Sequence, residues 1–470
     1  MDNHCVFSGR FVFVGFGSIA RATLPLLLRQ EHISVGDITV LAPIIEDREW
    51  FVQQGIEFIE AQLTRDNFAK TLDLYVNPGD FIVNVSVGVS SVALMHYAAH
   101  VGALYLDTCV EPWEGGYASP DMSLSQRTNY ALRHSVLELR EVIDKGPTAV
   151  VAHGANPGLI SHLLKAGLVQ LAGQLKTALP MTRKGVNWAA LAMDMGVKVI
   201  HVAERDTQKT RQIKEDDEFV NTWSVDGFLS ESLQPAELSW GTHEKTWPVD
   251  AQRHQFGSRN SIFLERPGAS VQVYTWTPLG GPCLGRMITH HETVSTADYL
   301  TVRELGKEVY RPTVYYAYHP CDDALLSIDE LIGRGWKPQT HKRIMNDEIV
   351  LGGVDALGVL LMGHDLNAYW YGSLLRIDEA RAIAPFNTAT SLQVAAGVLS
   401  GIVWAVRHPN EGIVEAEQMD YEEVLEIATP YLGTLTGVQT DWQPPERVLQ
   451  PFCAPGKAPD PWQFEQFVSR

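Results

Sequence analysis

The sequence predicts an α/β protein with an N-terminal Rossmann-type parallel sheet and a second domain of mixed α/β structure. Three observations support this prediction. A chain of 470 residues is too long for one compact core. Its first 155 residues alternate short apolar runs with longer amphipathic runs. From about residue 156 this alternation gives way to irregular stretches that are rich in aromatic residues.

Six apolar runs in the first part predict strands, at 10–17, 37–43, 55–63, 80–88, 102–110 and 148–154. Amphipathic runs between several of them predict helices, at 19–29, 91–100 and 126–143. Strands that alternate with helices form a parallel sheet that is covered on both faces. Ligands bind such sheets at the carboxyl ends of the strands, and we expect a site there.

The second part contains strand-like runs such as VQVYTWTP and TVYYAYHP, up to about residue 385. A strongly apolar helix is predicted at 387–409, with a Thr- and Ser-rich start and a proline stop. Because this helix is apolar nearly all round, we expect it to be buried and to pack against the N-terminal sheet. The predicted domains are therefore 1–155 plus about 385–412, then 156–384, with 413–470 as a C-terminal extension.

Composition limits the partners and the compartment. A net charge of −19 argues against a nucleic-acid partner and suits a cationic ligand. Five scattered cysteines without a CxxC pair predict a reducing compartment and no cysteine zinc site. No secretory signal is visible, and no apolar run approaches the roughly 18 residues that span a bilayer. We therefore expect a cytoplasmic protein that contacts no membrane and holds no metal.

A glycine motif, VFVGFGSIAR, follows the first predicted strand and opens the first predicted helix. Gly15 permits a tight turn, Gly17 lets the backbone approach a pyrophosphate, and Ala20 allows close packing of helix and strand. The helix start at Ser18 and Ile19 offers free N–H groups to the phosphates. This context predicts a dinucleotide cofactor.

The second strand ends in Ala42 and Pro43 instead of the acid that usually binds the adenosine ribose. Glu46 and Asp47 follow closely enough to replace that acid. No arginine stands at the strand end to bind a 2′-phosphate, since Arg48 lies further on. We therefore predict NAD and not NADP.

Polar residues at later strand ends are candidates for contact with the nicotinamide. They are Asn84, Ser86, Asp107, Thr108 and Asn156. Asn156 also precedes a Pro-Gly turn at the predicted start of the second domain. Since all five fall at strand ends of one sheet, they predict a common site.

Carboxylates and histidines in irregular contexts are further candidates. The carboxylates are Glu111, Glu204, Glu231 and Glu237, and the histidines are His290, His291 and His319. No HxxxH or HExxH spacing supports a metal site, so acid–base or hydrogen-bonding roles remain open for the histidines.

The stretch at 221–241, NTWSVDGFLSESLQPAELSWG, mixes tryptophans with carboxylates and shows no helical period. We interpret it as loop and short strand. Large aromatic faces beside acids, here Trp223 and Trp240 with Asp226, suit a cationic ligand, because a cation over a tryptophan ring gains about 0.5–2 kcal/mol.

Long irregular runs of the sequence resemble the bacterial homospermidine synthases, within the wider saccharopine-dehydrogenase-like fold group. The resemblance covers nearly the whole chain and includes LYLDTCVEPW, MGVKVIHVAERDTQ, NTWSVDGF, THHETVSTADYLTVR and GVLLMGHDLNAYWYGS. Runs of this length are far more specific than the glycine motif. The alanine at the end of strand two departs from the acid expected in relatives.

The resemblance implies a redox-neutral aminobutyl transfer. NAD oxidises one putrescine to an imine, ammonia is lost, a second putrescine attacks, and the Schiff base is reduced to sym-homospermidine. By resemblance, Trp223 faces the substrate cation, and the residues around it are Glu111, Asn156, Glu204, Glu231 and His290. We also expect diamine and polyamine substrates and a homodimer.

Two other interpretations remain open. A saccharopine- or carboxyspermidine-type dehydrogenase would reduce an imine formed from an amino acid. Such substrates carry carboxylates and call for arginine clamps, but the segment 221–240 contains no arginine. A non-catalytic NAD-binding sensor would not need so many polar groups at strand ends.

Overall fold

The computed structural model describes residues 7–30, 35–45, 48–117, 121–143, 145–384, 387–446 and 460–469. Its strands are β1 Phe11–Val14, β2 Ile38–Ala42, β3 Glu57–Glu60, β4 Phe81–Asn84, β5 Leu104–Asp107, β6 Ala149–Val151, β7 Met181–Thr182, β8 Gly185–Val186, β9 Val199–Asp206, β10 Glu218–Asn221, β11 Pro235–Ser239, β12 Ala251–Arg253, β13 Ser261–Pro267, β14 Gln272–Thr277, β15 Gly281–Arg286, β16 Val302–Glu304, β17 Lys307–Tyr310, β18 Thr313–His319, β19 His341–Ile344, β20 Val354–His364, β21 Asn367–Arg376, β22 Ile413–Glu415 and β23 Thr434–Thr440.

The α-helices are α1 Ser18–Leu27, α2 Glu49–Gln53, α3 Phe68–Leu72, α4 Ser91–Val101, α5 Asn129–Val142, α6 Leu159–Leu175, α7 Trp188–Asp194, α8 Val225–Leu233, α9 Glu292–Tyr299, α10 Asp322–Gly333, α11 Ile377–Ile383, α12 Ala389–Arg407, α13 Tyr421–Ala428 and α14 Phe464–Phe467.

The first sheet has seven parallel strands in the order β22-β6-β5-β4-β1-β2-β3. The apolar strands β1, β2, β4, β5 and β6 are buried throughout, as expected of a sheet that is covered on both faces. The order reverses between β1 and β4, which creates a crevice at their carboxyl ends. The predicted Rossmann-type sheet is confirmed.

The second sheet is mixed and has ten strands, with the main order β12-β13-β11-β18-β9-β20-β21-β23. Its centre is β9, which pairs in parallel with β18 and antiparallel with β20. The register places Glu204 of β9 opposite Tyr318 of β18 and Leu357 of β20. The predicted mixed α/β second part is confirmed.

The apolar helix α12 contacts α1 and β5 of the first sheet and also α13, β20 and β21. By length and composition it is apolar enough to cross a membrane, contrary to our expectation from the sequence. Of its apolar window, 83% is buried inside the protein, as in a core helix.

Residues after 412 contribute to both sheets. The strand β22 extends the first sheet beside β6, and β23 pairs with β21 in the second. The segment predicted as a C-terminal extension therefore completes both layers up to residue 440.

The segment 221–241 contains the helix α8, so our interpretation of it as loop and short strand was wrong. The Ser224 side chain accepts a hydrogen bond from the Gly227 amide at 3.1 Å and caps the helix. Phe228 and Leu229 are buried on its inner face. Serines and a glycine interleaved with these residues obscure the helical period in the sequence.

A buried ionic cluster joins elements of both sheets. The Arg133 guanidinium of α5 donates to Glu415 of β22 at 2.6 and 2.9 Å and to Asp298 of α9 at 3.1 Å. The Nε2 of His291 lies 2.9 Å from the same Glu415 carboxylate. Burial raises the pKa of Glu415, but Arg133 and His291 outweigh it and hold that pKa well below its ordinary value.

Arg133→Ala should lower the free energy of unfolding by about 3–5 kcal/mol, because it removes the guanidinium that forms two hydrogen bonds with the buried Glu415 carboxylate. The control is Arg140→Ala on the same helix, which removes only an exposed hydrogen bond to Gln418 and should cost about 0.5 kcal/mol or less. Urea unfolding of the two variants measures the difference, and equal losses would contradict a role for the cluster.

Candidate active site

A groove lies at the carboxyl ends of the neighbouring strands β1 and β4 of the first sheet. It is lined by residues 15–19, 41–44, 61–63 and 85–89, together with residues at the start of α8. Asp226 lines its rim and forms an ion pair with Lys342. The turn between β1 and α1 therefore borders an open groove, as the glycine motif predicts.

The two glycines of this turn have different surroundings. Gly15 has a φ of +99°, and a Cβ atom there would lie 2.8 Å from the Ser86 backbone. A Cβ at Gly17 would meet no atom within 4 Å. The Ser18 hydroxyl at the start of α1 is buried without a hydrogen-bond partner among the described residues. Open space beside free N–H groups and an unpaired hydroxyl fits a cofactor pyrophosphate.

The far end of the groove is lined by Ala42 and Pro43, with Gln62 nearby. Glu46 and Asp47, which we expected to replace the missing ribose contact, lie outside the described residues.

Two of the predicted cofactor residues, Asn84 and Asp107, line neither the groove nor the cavity that adjoins it. The Asn84 side chain accepts a hydrogen bond from the Ser86 hydroxyl at 2.6 Å. The Asp107 carboxylate accepts from the Ala152 amide at 2.6 Å and from Tyr105 at 2.9 Å. Ser86 and Thr108 themselves line the adjoining cavity. Ala20 is fully buried inside α1.

A second cavity adjoins the groove and shares Ile19 and residues 85–87 with it. Its walls include six residues that we predicted as catalytic, namely Glu111, Asn156, Glu204, Trp223, Glu231 and His290. They come from six places along the chain, after β5, after β6, on β9, after β10, on α8 and before α9. The fold thus brings residues that are up to 179 positions apart, from 111 to 290, together around one cavity.

The buried His290 pairs with the partly buried Glu231. The His290 Nε2 lies 3.0 Å from the Glu231 Oε2, and its Nδ1 lies 3.7 Å from Glu292. Burial lowers the pKa of His290, but the two carboxylates outweigh it and raise that pKa to about 10. His290 is therefore a cation at neutral pH.

Glu204 occupies the centre of the cavity wall. Its Oε2 accepts hydrogen bonds from the Tyr316 hydroxyl and from the Asn156 Nδ2, the latter at 3.4 Å. Burial raises the pKa of Glu204 to about 7, although the Tyr316 hydrogen bond acts in the opposite direction. The Asn156 Oδ1 is buried and has no hydrogen-bond partner in the part of the chain that the structure describes, so it can accept from a ligand.

Glu111 closes the cavity on the side of the first sheet. Its carboxylate accepts from the Gly88 amide at 3.2 Å and from the Cys109 thiol at 3.4 Å. Burial raises the pKa of Glu111 to about 7. A carboxylate with such a pKa can exchange a proton near neutral pH.

Trp223 presents a partly exposed ring to the cavity. The ring packs at 5.5 Å from Phe228, and a Cβ at Gly227 would lie 3.1 Å from it. The small residue therefore allows the indole to lie over the first turn of α8.

Several residues of the sequence-based candidate set lie elsewhere. His291 binds Glu415, and the His319 Nδ1 contacts the Leu284 carbonyl at 2.8 Å. Glu237 accepts from the Tyr130 amide at 3.1 Å, and Trp240 packs on Trp247 at 5.2 Å. These are structural contacts outside the cavity.

The cavity also contains polar residues that the sequence analysis missed. They are Cys109, Ser224, Tyr316, Thr390 and Gln393. Tyr316 lies in a run of alternating tyrosines, TVYYAYH, that predicts a strand but not which face of it borders a ligand.

A Rossmann-type sheet whose glycine groove opens onto a carboxylate-lined cavity, with walls from elements of both sheets, is typical of a dehydrogenase-like enzyme. The family models of the saccharopine dehydrogenase NADP binding domain and C-terminal domain match residues 11–150 and 154–440. The chain belongs to the homospermidine synthase family.

Two curated relatives and one crystal structure support this assignment. The homospermidine synthase of Blastochloris viridis is 49% identical over 468 residues, 98% of each chain. That of Mesorhizobium japonicum is 46% identical over 469 residues, 98% of this chain and 97% of the relative. The homospermidine synthase of Legionella pneumophila, solved in complex with NAD, superposes with a TM-score of 0.91 at 44% identity and covers 99% of this chain and 98% of its own.

Proposed function

We propose that this protein makes sym-homospermidine from two molecules of putrescine, with NAD as a recycled redox cofactor. One observation carries the proposal. The cavity beside the glycine groove brings together the carboxylates Glu111, Glu204 and Glu231 with the aromatic face of Trp223. A diamine has two ammonium groups on an apolar stem, and this lining offers partners for both features.

The same lining argues against an amino-acid-derived substrate. The described residues that line the cavity include no lysine or arginine. In a saccharopine- or carboxyspermidine-type substrate the carboxylate would meet only the imidazolium of His290, which already pairs with Glu231, so its burial there would carry a considerable desolvation cost.

The turn at Gly17 and Ser18 would hold the cofactor pyrophosphate, and Ser86 and Thr108 border the nicotinamide end. Bound there, NAD supplies the hydride acceptor and donor for the reaction. The Legionella relative was solved with NAD, and the missing 2′-phosphate partner at Ala42 also favours NAD.

A base must remove a proton from the substrate ammonium before hydride can leave its carbon. His290 is poorly suited to this role because its raised pKa keeps it protonated. Glu204, with a pKa of about 7, is the better base. The Glu231–His290 pair then orients the amine, and the Trp223 face stabilises the positive charge of the iminium.

The rate at limiting putrescine should fall as the pH drops through about 7, because a protonated Glu204 accepts no proton. A pH profile of kcat/KM checks this. This fall is the acid limb of the profile. Whatever activity remains in Glu204→Gln should show no acid limb. An unchanged limb in that variant would assign it to another group, with Glu111 as the first candidate.

The experiment that tests the function is incubation of purified protein with putrescine and a catalytic amount of NAD. We expect homospermidine and ammonia in equal amounts and no net consumption of NAD. A requirement for a keto acid or amino acid would support the dehydrogenase alternative, and steady stoichiometric reduction of NAD would contradict a recycled cofactor.

We further propose a cytoplasmic homodimer. The three described cysteines, Cys109, Cys283 and Cys321, are all free thiols, which suits a reducing compartment. The dimer stays a prediction that light scattering tests.

A further inference from the structure

Glu204 lies within a cluster of buried carboxyl groups. Asp206 follows two residues later on β9, and Asp355 of β20 pairs directly with Asp206 in the antiparallel register. Because alternate residues share a face and paired residues project to the same side, all three lie on one face of the sheet. Their exposed fractions are 3%, 2% and 0%.

The three carboxyl groups differ in their donors. Asp206 accepts from the Thr222 hydroxyl at 2.7 Å and from the Gln208 amide at 2.8 Å. The Asp355 Oδ2 accepts from the Thr390 hydroxyl, but its Oδ1 has no donor among the described residues. The Asp355 side chain lies close enough to the Glu204 carboxylate for a hydrogen bond between them. A contact between two carboxyl groups is a hydrogen bond only if one of them carries a proton.

Tyr316 approaches Glu204 from the neighbouring strand β18. Its hydroxyl donates to the Glu204 carboxylate, and its ring lies 4.6 Å from the His290 ring. Tyr318 stacks on Tyr316 at 5.3 Å, but its own hydroxyl has no partner among the described residues. Only one of the two stacked tyrosines therefore acts on the carboxylate through a hydrogen bond.

We propose that Tyr316 and Asp355 are positioning residues that form one proton-accepting unit with Glu204. In this unit Asp355 keeps its proton and donates one hydrogen bond to the Glu204 carboxylate. Tyr316 donates a second hydrogen bond to the same carboxylate. The proposal rests on the proposed function only for its chemistry. A substrate ammonium gives its proton to Glu204, which yields a neutral amine and a neutral carboxyl group, and that proton later returns to the secondary amine of the product.

The electrostatics of this cluster supports one negative charge shared by Glu204 and Asp355. Burial, followed by the charge of Glu204, raises the pKa of Asp355 well above its ordinary value. Among the described residues, the titratable groups around Glu204 are Asp206, His290, Tyr316, Tyr318 and Asp355. With only His290 as a cation in this set, ionising every carboxyl would place three negative charges in one buried face, so one proton is retained.

Tyr316→Phe tests the first half of the proposal. Loss of a hydrogen bond to the ionised form raises the pKa of Glu204, so the acid limb of kcat/KM should move upward by roughly one pH unit. Tyr318→Phe is the matched control, since it removes an unpaired hydroxyl from the stacked neighbour and should leave the limb in place. An acid limb that stays in place in Tyr316→Phe, or that moves in both variants, would overturn the role of Tyr316.

Asp355→Ala tests the second half, because alanine has no donor. Loss of a hydrogen bond to the ionised form raises the pKa of Glu204, so the acid limb of kcat/KM should move upward, as in Tyr316→Phe. If Asp355 were ionised in the working enzyme, its removal would instead lower the pKa of Glu204 and move the acid limb downward. That result would overturn the proposal.

Infrared spectroscopy of the cofactor-free protein at a pH of about 9 separates this proposal from the proposed function, since it needs no turnover. At that pH the carboxyl groups with a pKa of about 7, such as Glu111 and Glu204, are ionised. The C=O band of a protonated buried carboxyl should then be present in the wild type and absent from Asp355→Asn. Its absence from the wild type would contradict proton sharing even if homospermidine is made. Its presence in a protein that leaves putrescine unchanged would contradict the proposed function but not the shared proton.

Discussion

Trp223→Ala should lower kcat/KM for putrescine by more than about thirty-fold, because a desolvated cation–π contact contributes about 2 kcal/mol and the packing against Phe228 is lost as well. Trp223→Phe should retain much of the activity, since a weaker π-face remains. Trp223→Glu should fall between the two, because it attracts an ammonium but offers no face to a delocalised iminium.

Thermal midpoints measured beside turnover distinguish this role from a structural one. The ring is partly exposed at the cavity, so we expect turnover to fall much more than stability. An alanine variant with normal turnover, or a glutamate variant that matches the wild type, would remove the aromatic face from the mechanism.

Gly17→Val should abolish cofactor binding and leave the fold intact. The backbone at Gly17 is extended, with a φ of −97°, and its Cβ would enter empty space that the pyrophosphate needs. Without cofactor, we expect a stability within about 1 kcal/mol of the wild type, the scale of a helix-cap change. Added NAD should raise the thermal midpoint of the wild type but not of this variant.

Gly15→Ala is the informative comparison. At this position a side chain meets the Ser86 backbone at 2.8 Å in a left-handed conformation. This variant should lose about 1–3 kcal/mol of stability even without cofactor. Normal NAD binding by Gly17→Val would contradict the assignment of the groove.

The features that the sequence predicts well are local ones. The turn at Gly15 and Gly17 depends on a strand, a glycine pattern and a helix start that are contiguous in the chain. Five of the six strands in the first part are buried and mainly apolar runs, since their sheet is covered on both faces, and only the edge strand β3 begins and ends in exposed glutamates. The residues around the cavity came from long runs that resemble one family, not from spacing.

The features that the sequence did not predict depend on tertiary contacts. The strand β22 joins β6 across more than 260 residues, and nothing local marks its destination. Tyr316 and Asp355 lie on strands whose apolar neighbours predict burial but not which face meets Glu204. The pKa of His290 follows from two carboxylates that only folding brings near it, so its poor fit as a base could not be foreseen.

The central claim is that hydride taken from one putrescine returns to the product of the same turnover. An equal mixture of unlabelled putrescine and putrescine deuterated at both amine-bearing carbons, supplied with a catalytic amount of NAD, tests it by mass spectrometry. We predict homospermidine that carries only zero, four or eight deuterium atoms, because each donor carbon regains the hydride that it lost. Product with an odd number of deuterium atoms, which requires hydride from another turnover, would contradict the account.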